Sequence, residues 1–219
     1  MKKSFFFGLG LLVLLNSCIK EPEPEVIGVA KARYVNAVQG STAQDFYSNG
    51  KLLSSVSLAY GSYSNYFDIA SGSNIFAVAD PGSTVGNGGF GPVAIKIGSN
   101  STVYYYKDLM GANKAGYTAD DMTAPATGKA RVRFLHLNHF LNNSIGVNTS
   151  EAVVVFTGLG FGIASNYFEV NPGTKFVGTG TGVVTAPVID FAFQAGKIYT
   201  IWIDGSVATE LKGHVIQQN

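Results

Sequence analysis

Apolar residues follow two regimes along this chain. From Phe5 to Leu15 they form an unbroken run of 11 residues, whereas beyond Glu25 they recur in short bursts punctuated by Gly, Pro, Asn, Asp and Ser. Alternation with period two marks half-buried strands. Val188 to Phe193 shows it clearly, with Val188, Asp190 and Ala192 on one side and Ile189, Phe191 and Phe193 on the other. The pattern predicts strands over 29–37, 44–48, 51–57, 63–69, 74–80, 92–98 and 102–108, and again over 130–137, 144–148, 152–157, 164–170, 174–179, 187–193 and 198–204. Asn49-Gly50 predicts a two-residue hairpin, because both residue types accept positive φ. No window sustains a helical period.

The strand pattern occurs twice. Leu58 to Ile69 matches Leu159 to Val170 at an offset of 101, with Ser-Asn-Tyr-Phe identical in both. Ala30 to Asn36 matches Ala130 to His136 at 100, pairing Arg33 with Arg133. Tyr104 to Asp108 parallels Thr200 to Asp204 at 96. A repeat of this length is one folding unit used twice. The expected organisation is a first β-unit over 28–110, a Gly-, Ala-, Thr- and Asp-rich linker over 111–127 and a second β-unit over 128–219. About seven short strands per unit predict an all-β fold of two tandem β-sandwiches.

The first apolar run has a different meaning. Lys2 and Lys3 precede it, and it falls short of the ~20 residues of a spanning helix, so residues 1–17 read as a signal peptide. Leu15-Asn16-Ser17-Cys18 resembles the lipobox of bacterial lipoproteins, which implies cleavage before Cys18 and lipid on that residue. Cys18 is the sole cysteine, so no internal disulfide forms and acylation removes an otherwise free thiol. Residues 18–27 then form a spacer in which Lys20, Glu21, Glu23 and Glu25 alternate with Pro22 and Pro24. Its lysine followed by acids resembles the surface-export signal of Bacteroidetes lipoproteins. The expected location is the outer membrane, facing the periplasm or the cell surface, with the membrane as a partner through the anchor.

Two further stretches carry a family resemblance. Ala130-Arg131-Val132-Arg133-Phe134-Leu135-His136-Leu137 and Asp45-Phe46-Tyr47-Ser48-Asn49-Gly50 resemble an opening strand and a second strand with its turn in domain-of-unknown-function family 4397. The resemblance implies immunoglobulin- or transthyretin-like sandwiches in an exported bacterial protein. It implies no activity. The family's Ser-Pro-Asp-Ala-Pro loop is replaced here by Asn138 to Asn142, and Asn36 stands where the second unit has His136.

Composition excludes some partners. Charged residues make up only 13% of the chain, and loss of Lys2 and Lys3 leaves 13 basic against 14 acidic residues, which gives no basic footprint for nucleic acid. Gly86 to Gly91 has dinucleotide-fingerprint spacing, but Pro92 and a strand follow where a helix is needed, so 81–92 reads as a flexible loop. Asp120-Asp121 reads as a solvated turn. No nucleophile elbow or phosphate loop is present, and no cofactor or metal is expected. His136 and His139 are three apart on and beyond a strand and point to opposite faces, which favours structural roles.

Aromatics offer the remaining candidate surface. Tyr104 and Tyr106 share one strand face, Tyr105 takes the other, and Trp202 lies in the corresponding region of the second unit. One face is core. The other is either buried between the units or open as a platform that, with His136 and His139, meets a ligand. These features point to a non-enzymatic envelope module binding protein or polysaccharide. A structural, fimbria-like component is the alternative, and a glycan hydrolase with carboxylates assembled in space is the third reading.

Overall fold

The computed structural model describes residues 26–53, 56–83 and 85–219. The expected signal peptide, Cys18 and the expected spacer up to Glu25 lie outside the described residues. The described chain is all-β, with fifteen strands in four sheets and no helix. In the first half, β1 (Val29–Asn36), β4 (Phe67–Ala70), β7 (Asn100–Lys107) and β8 (Asn113–Asp120) form one sheet in the order β4-β1-β7-β8. β2 (Asp45–Ser48), β3 (Lys51–Leu52), β5 (Gly72–Ala79) and β6 (Gly86–Ile95) form the other, in the order β3-β2-β5-β6. The second half repeats the frame: β9 (Ala130–His136), β12 (Phe168–Val170), β14 (Ile198–Asp204) and β15 (Lys212–Gln217) in the order β12-β9-β14-β15, then β10 (Ile145–Thr149), β11 (Val154–Leu159) and β13 (Phe176–Gly180) in the order β11-β10-β13.

Each half is a two-sheet sandwich closed by alternate residues of its strands. Ala30, Ala32 and Tyr34 of β1 meet Phe46 of β2, Phe76 and Val78 of β5, and Val103 and Tyr105 of β7 in one core. Ala130, Val132 and Phe134 meet Ile145, Val147, Phe176, Tyr199 and Ile201 in the other. Asn49 (φ 48) and Gly50 (φ 76) make the expected turn between β2 and β3, and a turn with both central residues at positive φ matches the right-handed twist of the strands it joins.

The opposite faces of β1, β7, β9 and β14 meet each other. Val35, Ala37, Tyr104, Leu135, Leu137, Trp202 and Ile216 form a third apolar cluster between the halves. Two arginines cross it reciprocally. Arg33 donates to the carbonyls of Gln217 and Gln218 at 2.6 and 3.0 Å, and Arg133 donates to the carbonyl of Ala119 at 2.6 Å and to the carboxylate of Asp120. Each guanidinium also lies over a tyrosine of its own half, Arg33 over Tyr66 at 3.9 Å and Arg133 over Tyr167 at 5.0 Å. These are the tyrosines of the repeated Ser-Asn-Tyr-Phe motif. Its serines serve the fold too: Ser64 and Ser165 accept from the backbone N–H of Tyr34 and Phe134, each at 2.9 Å.

Several expectations need correction. The stretch 81–92, read as a loop, is largely β6: its glycines carry no alternation to read, yet β5 supplies the hydrogen-bonding partner. The stretch 111–127, read as a linker, contains β8, which pairs with β7 along its whole length. Asp120 is therefore a buried ion-pair partner at a strand end and not a solvated turn residue. β15 carried no predicted strand. Over 187–193 there is a single bridge, Ile189 to Phe176, although Ile189 and Phe193 are buried as the alternation requires. The third repeat offset is 98, because Val35 lies opposite Tyr104 and Leu135 opposite Trp202, which makes Trp202 the counterpart of Tyr104.

Candidate functional site

The aromatic candidates go inward. Tyr105 sits in the first core; Tyr104 and Trp202 sit in the cluster between the halves, and Tyr106 packs against that cluster. Tyr104, Tyr105 and Trp202 are 1–2% exposed, so the second face of the strand is an internal junction and no open platform exists there. The reason is that β7 and β14 are central strands, covered on both faces. His136 is fully buried, with Nε2 3.3 Å from the Asn143 carbonyl, and burial lowers its pKa. His139 is half-buried and packs on Phe140 with ring centroids 3.9 Å apart. His214 stacks on Trp202 at 3.8 Å and pairs with Asp204 at 3.0 Å, while Tyr60 donates to Asp204 at 2.6 Å. This cluster closes the junction. Among the described residues no group of three or more His, Cys, Asp and Glu side chains is placed to hold a metal ion.

A cleft opens instead at one end of the first sandwich, with a volume of ≈ 290 Å³. The turn after β1 gives Ser41, the entry to β2 gives Thr42 and Gln44, and the residue after β5 is Asp80. β6 gives Asn87, the end of β7 gives Tyr105 and Lys107, and the start of β8 gives Asn113. Four of these groups, Thr42, Gln44, Asp80 and Asn87, are held by one another before any ligand arrives. Asp80 Oδ1 accepts from Thr42 Oγ1 at 2.7 Å and from Gln44 Nε2 at 2.9 Å, and Gln44 Oε1 accepts from Asn87 Nδ2 at 2.9 Å. Hydrogen bonds from Thr42, Gln44 and Asn87 hold the Asp80 carboxyl below the usual carboxylate range. Tyr105 is 1% exposed, belongs to the first core and lines the cleft. Burial, reinforced by the Asp80 charge, raises its pKa, so the phenol keeps its proton and remains a donor.

The second half shows what the same frame looks like when the equivalent place is filled. Ser41 and Leu141 close equivalent turns, each donating its N–H three residues back. Ser48 opposite Phe76 and Thr149 opposite Phe176 set the register that makes Gln44 the counterpart of Ile145. Asn36 opposite Tyr105 and His136 opposite Ile203 pair Tyr105 with Ile203. Tyr106 opposite Lys114 and Asp204 opposite Lys212 place Asn113 with Leu211. Leu141, Ile145, Ile203 and Leu211 are all at most 4% exposed and belong to one apolar core. Leu211 sits so close to Gly178 that a Cβ there would come within 2.8 Å of it. Three positions packed with hydrocarbon in the second half are thus polar in the first, at Ser41, Gln44 and Asn113, and the fourth, Tyr105, keeps its ring in the core while lining the same opening.

None of Ser41, Gln44, Asp80, Asn87 or Asn113 stands out in the sequence by motif or spacing. The available signal was the repeat itself: set against its second copy at offsets of 100 and 101, the first shows Ser41 for Leu141 and Gln44 for Ile145.

The chain belongs to the family described as Domain of unknown function (DUF4397), whose model matches residues 30–142. The match runs through the first half and past the end of β9. No curated protein matches the chain. Among solved structures it is similar to a family 26 carbohydrate-binding module from Eubacterium rectale Amy13K, solved in complex with maltoheptaose, at 14% identity over 87% of this chain and 97% of that one, with a TM-score of 0.28. It is also similar to the Bacillus anthracis TIE protein at 16% identity, over 86% of this chain and 34% of that one, with a TM-score of 0.24. Superpositions this loose bear neither on the fold of this chain nor on what it binds.

Proposed function

We propose that this chain is a lipid-anchored, non-catalytic binding module of the bacterial cell envelope, and that its ligand is a polysaccharide held in the polar cleft of the first half. The observation that carries the reading is the exchange of Leu141, Ile145, Ile203 and Leu211 for Ser41, Gln44, Tyr105 and Asn113 at matching places. Opening a core in this way forfeits burial and packing, so the polar set serves something other than stability. Amides and hydroxyls that both donate and accept match the hydroxyls of a sugar ring, and the fixed Asp80–Gln44–Asn87 network presents them preorganised. Among the described residues a single carboxylate, Asp80, lines the cleft, whereas glycoside cleavage by a carboxylate pair requires two.

The anchor is the second part of the proposal. Cys18 carries lipid in an outer membrane, and the Pro- and Glu-rich spacer holds the two β-units away from it, facing the periplasm or the cell surface. Two or more acyl chains anchor stably where one does not, at ~0.8 kcal/mol per buried methylene. Cys18→Ser is expected to move the protein from the membrane to the soluble fraction. A protein that stays membrane-bound after that change sinks the anchor. A glycan array probed with the mature protein tests the ligand: binding that Asp80→Asn or Asn113→Leu abolishes supports the cleft, and binding that neither variant alters places the ligand elsewhere.

A further inference from the structure

An aromatic pair lies along the same edge of the first sandwich as the cleft. β6 and β8 are the edge strands of the two sheets of the first sandwich, and they run side by side along its open edge. Two contacts fix their relative direction. A Cβ on Gly88 would come within 3.2 Å of the Lys114 carbonyl carbon, and two residues further along β6 the ring of Phe90 faces that of Tyr117, with centroids 6.4 Å apart and planes inclined by 13°. Asn113, Ala115 and Tyr117 alternate onto one face of β8, and Ala115 and Tyr117 both pack against the first core. Asn113 and Tyr117 are four residues apart on β8, about 13 Å at ~3.3 Å per residue, with Ala115 buried in the core between them. Between Asn87 and Phe90 on β6, Gly88 packs against the Lys114 backbone, and Gly89 is exposed and carries no side chain. Phe90 is 40% exposed and Tyr117 is half-buried, so the pair is anchored in the core and still open to solvent.

We propose that Phe90 and Tyr117 form a second subsite of the same binding site, stacking on a ring of a linear, neutral glycan whose other end lies in the cleft at Asp80, Asn87 and Asn113. The inference rests on the reading of the cleft as a sugar site and adds to it the form of the ligand, a chain and not a single ring. About 13 Å exceeds one pyranose ring and suits a short run of linked ones. Two near-parallel aromatic rings offer the flat apolar area that the C–H faces of sugars cover, while the cleft supplies hydrogen bonds. Neutrality follows from the cleft itself: its one carboxylate, Asp80, is balanced by the ammonium of Lys107, which leaves no net field for a charged polymer.

The test uses the mature protein and ladders of gluco-, manno- and galacto-oligosaccharides from monosaccharide to hexasaccharide, with binding measured by calorimetry. Phe90→Ala and Tyr117→Ala are each expected to weaken hexasaccharide binding by about tenfold and to leave monosaccharide binding unchanged, with Tyr117→Phe retaining full affinity. Hexasaccharide binding untouched by both alanine variants overturns the second subsite, while loss of all binding in Asp80→Asn keeps the cleft. Ladders that bind the wild type and Asp80→Asn equally, yet lose affinity in Tyr117→Ala, overturn the cleft and its linkage to the aromatic pair. No binding of any ladder by the wild-type protein overturns both.

Discussion

Arg133 of the second half forms its ion pair with Asp120 of the first, and the two side chains are 4% and 0% exposed. At the mirrored place Arg33 meets the backbone carbonyls of Gln217 and Gln218, so the junction uses one carboxylate where its near-symmetry has room for two. Removing one member of a buried pair strands the other charge in low dielectric. Asp120→Ala is therefore expected to lower stability by about 3–5 kcal/mol. Asp120→Gln, which installs the residue type found at Gln218, is expected to lose less. Urea denaturation followed by tryptophan fluorescence reads both, because Trp202 lies in the same junction. Equal stability of Asp120→Ala and wild type would show that the pair holds nothing.

The cleft and the packed core of the second half predict a trade between stability and binding. Gln44→Ile combined with Asn113→Leu copies Ile145 and Leu211 into the first half. Filling a cavity in this way is expected to raise stability by about 0.5–2 kcal/mol and to abolish glycan binding. Thermal melts beside the calorimetric assay check both. A doubly substituted protein that melts higher and still binds would separate the ligand from the cleft.

His136 makes stability fall in mild acid. Burial lowers its folded pKa from the ordinary 6.5, so the unfolded chain binds a proton more readily than the folded one. The stability it contributes is whole above about pH 6.5 and is lost as pH falls from there through its lower folded value. Asn36 fills the equivalent place with an amide that donates to the Leu58 carbonyl at 2.9 Å and accepts from the Val38 N–H at 3.0 Å. His136→Asn is expected to flatten the melting temperature between pH 7.5 and 5. An unchanged slope would assign the acid sensitivity to other groups.

The β2–β3 turn depends on Gly50, whose φ of 76° lies where a Cβ is strained and where nothing else approaches within 4 Å. Gly50→Ala is expected to cost about 1–2 kcal/mol through backbone strain alone. Gly50→Asn, a residue that tolerates the left-handed region, is expected to cost less. Chemical denaturation orders the three proteins, and an alanine variant as stable as wild type would show that the turn can relax.

The sequence by itself determined the class of this protein and most of its frame. Alternation along β5 and at the start of β1, the Asn49-Gly50 turn and the doubled Ser-Asn-Tyr-Phe motif are local in origin, because period-two burial and positive φ are written in neighbouring residues. Elements without that local signal were illegible. β6 is built on glycines that have no side chains to alternate, and β8 reads as a polar linker until β7 provides its hydrogen bonds. The roles of distant side chains belonged to the tertiary structure alone. Tyr104 and Trp202 are aromatic on any reading, and only the meeting of two sheets made them core. Asp120 became a junction residue when Arg133 reached it across the interface. Gln44, Asp80, Asn87 and Asn113 come from four separate segments, and hydrogen bonds between strands, which spacing along a chain does not encode, bring them to one cleft.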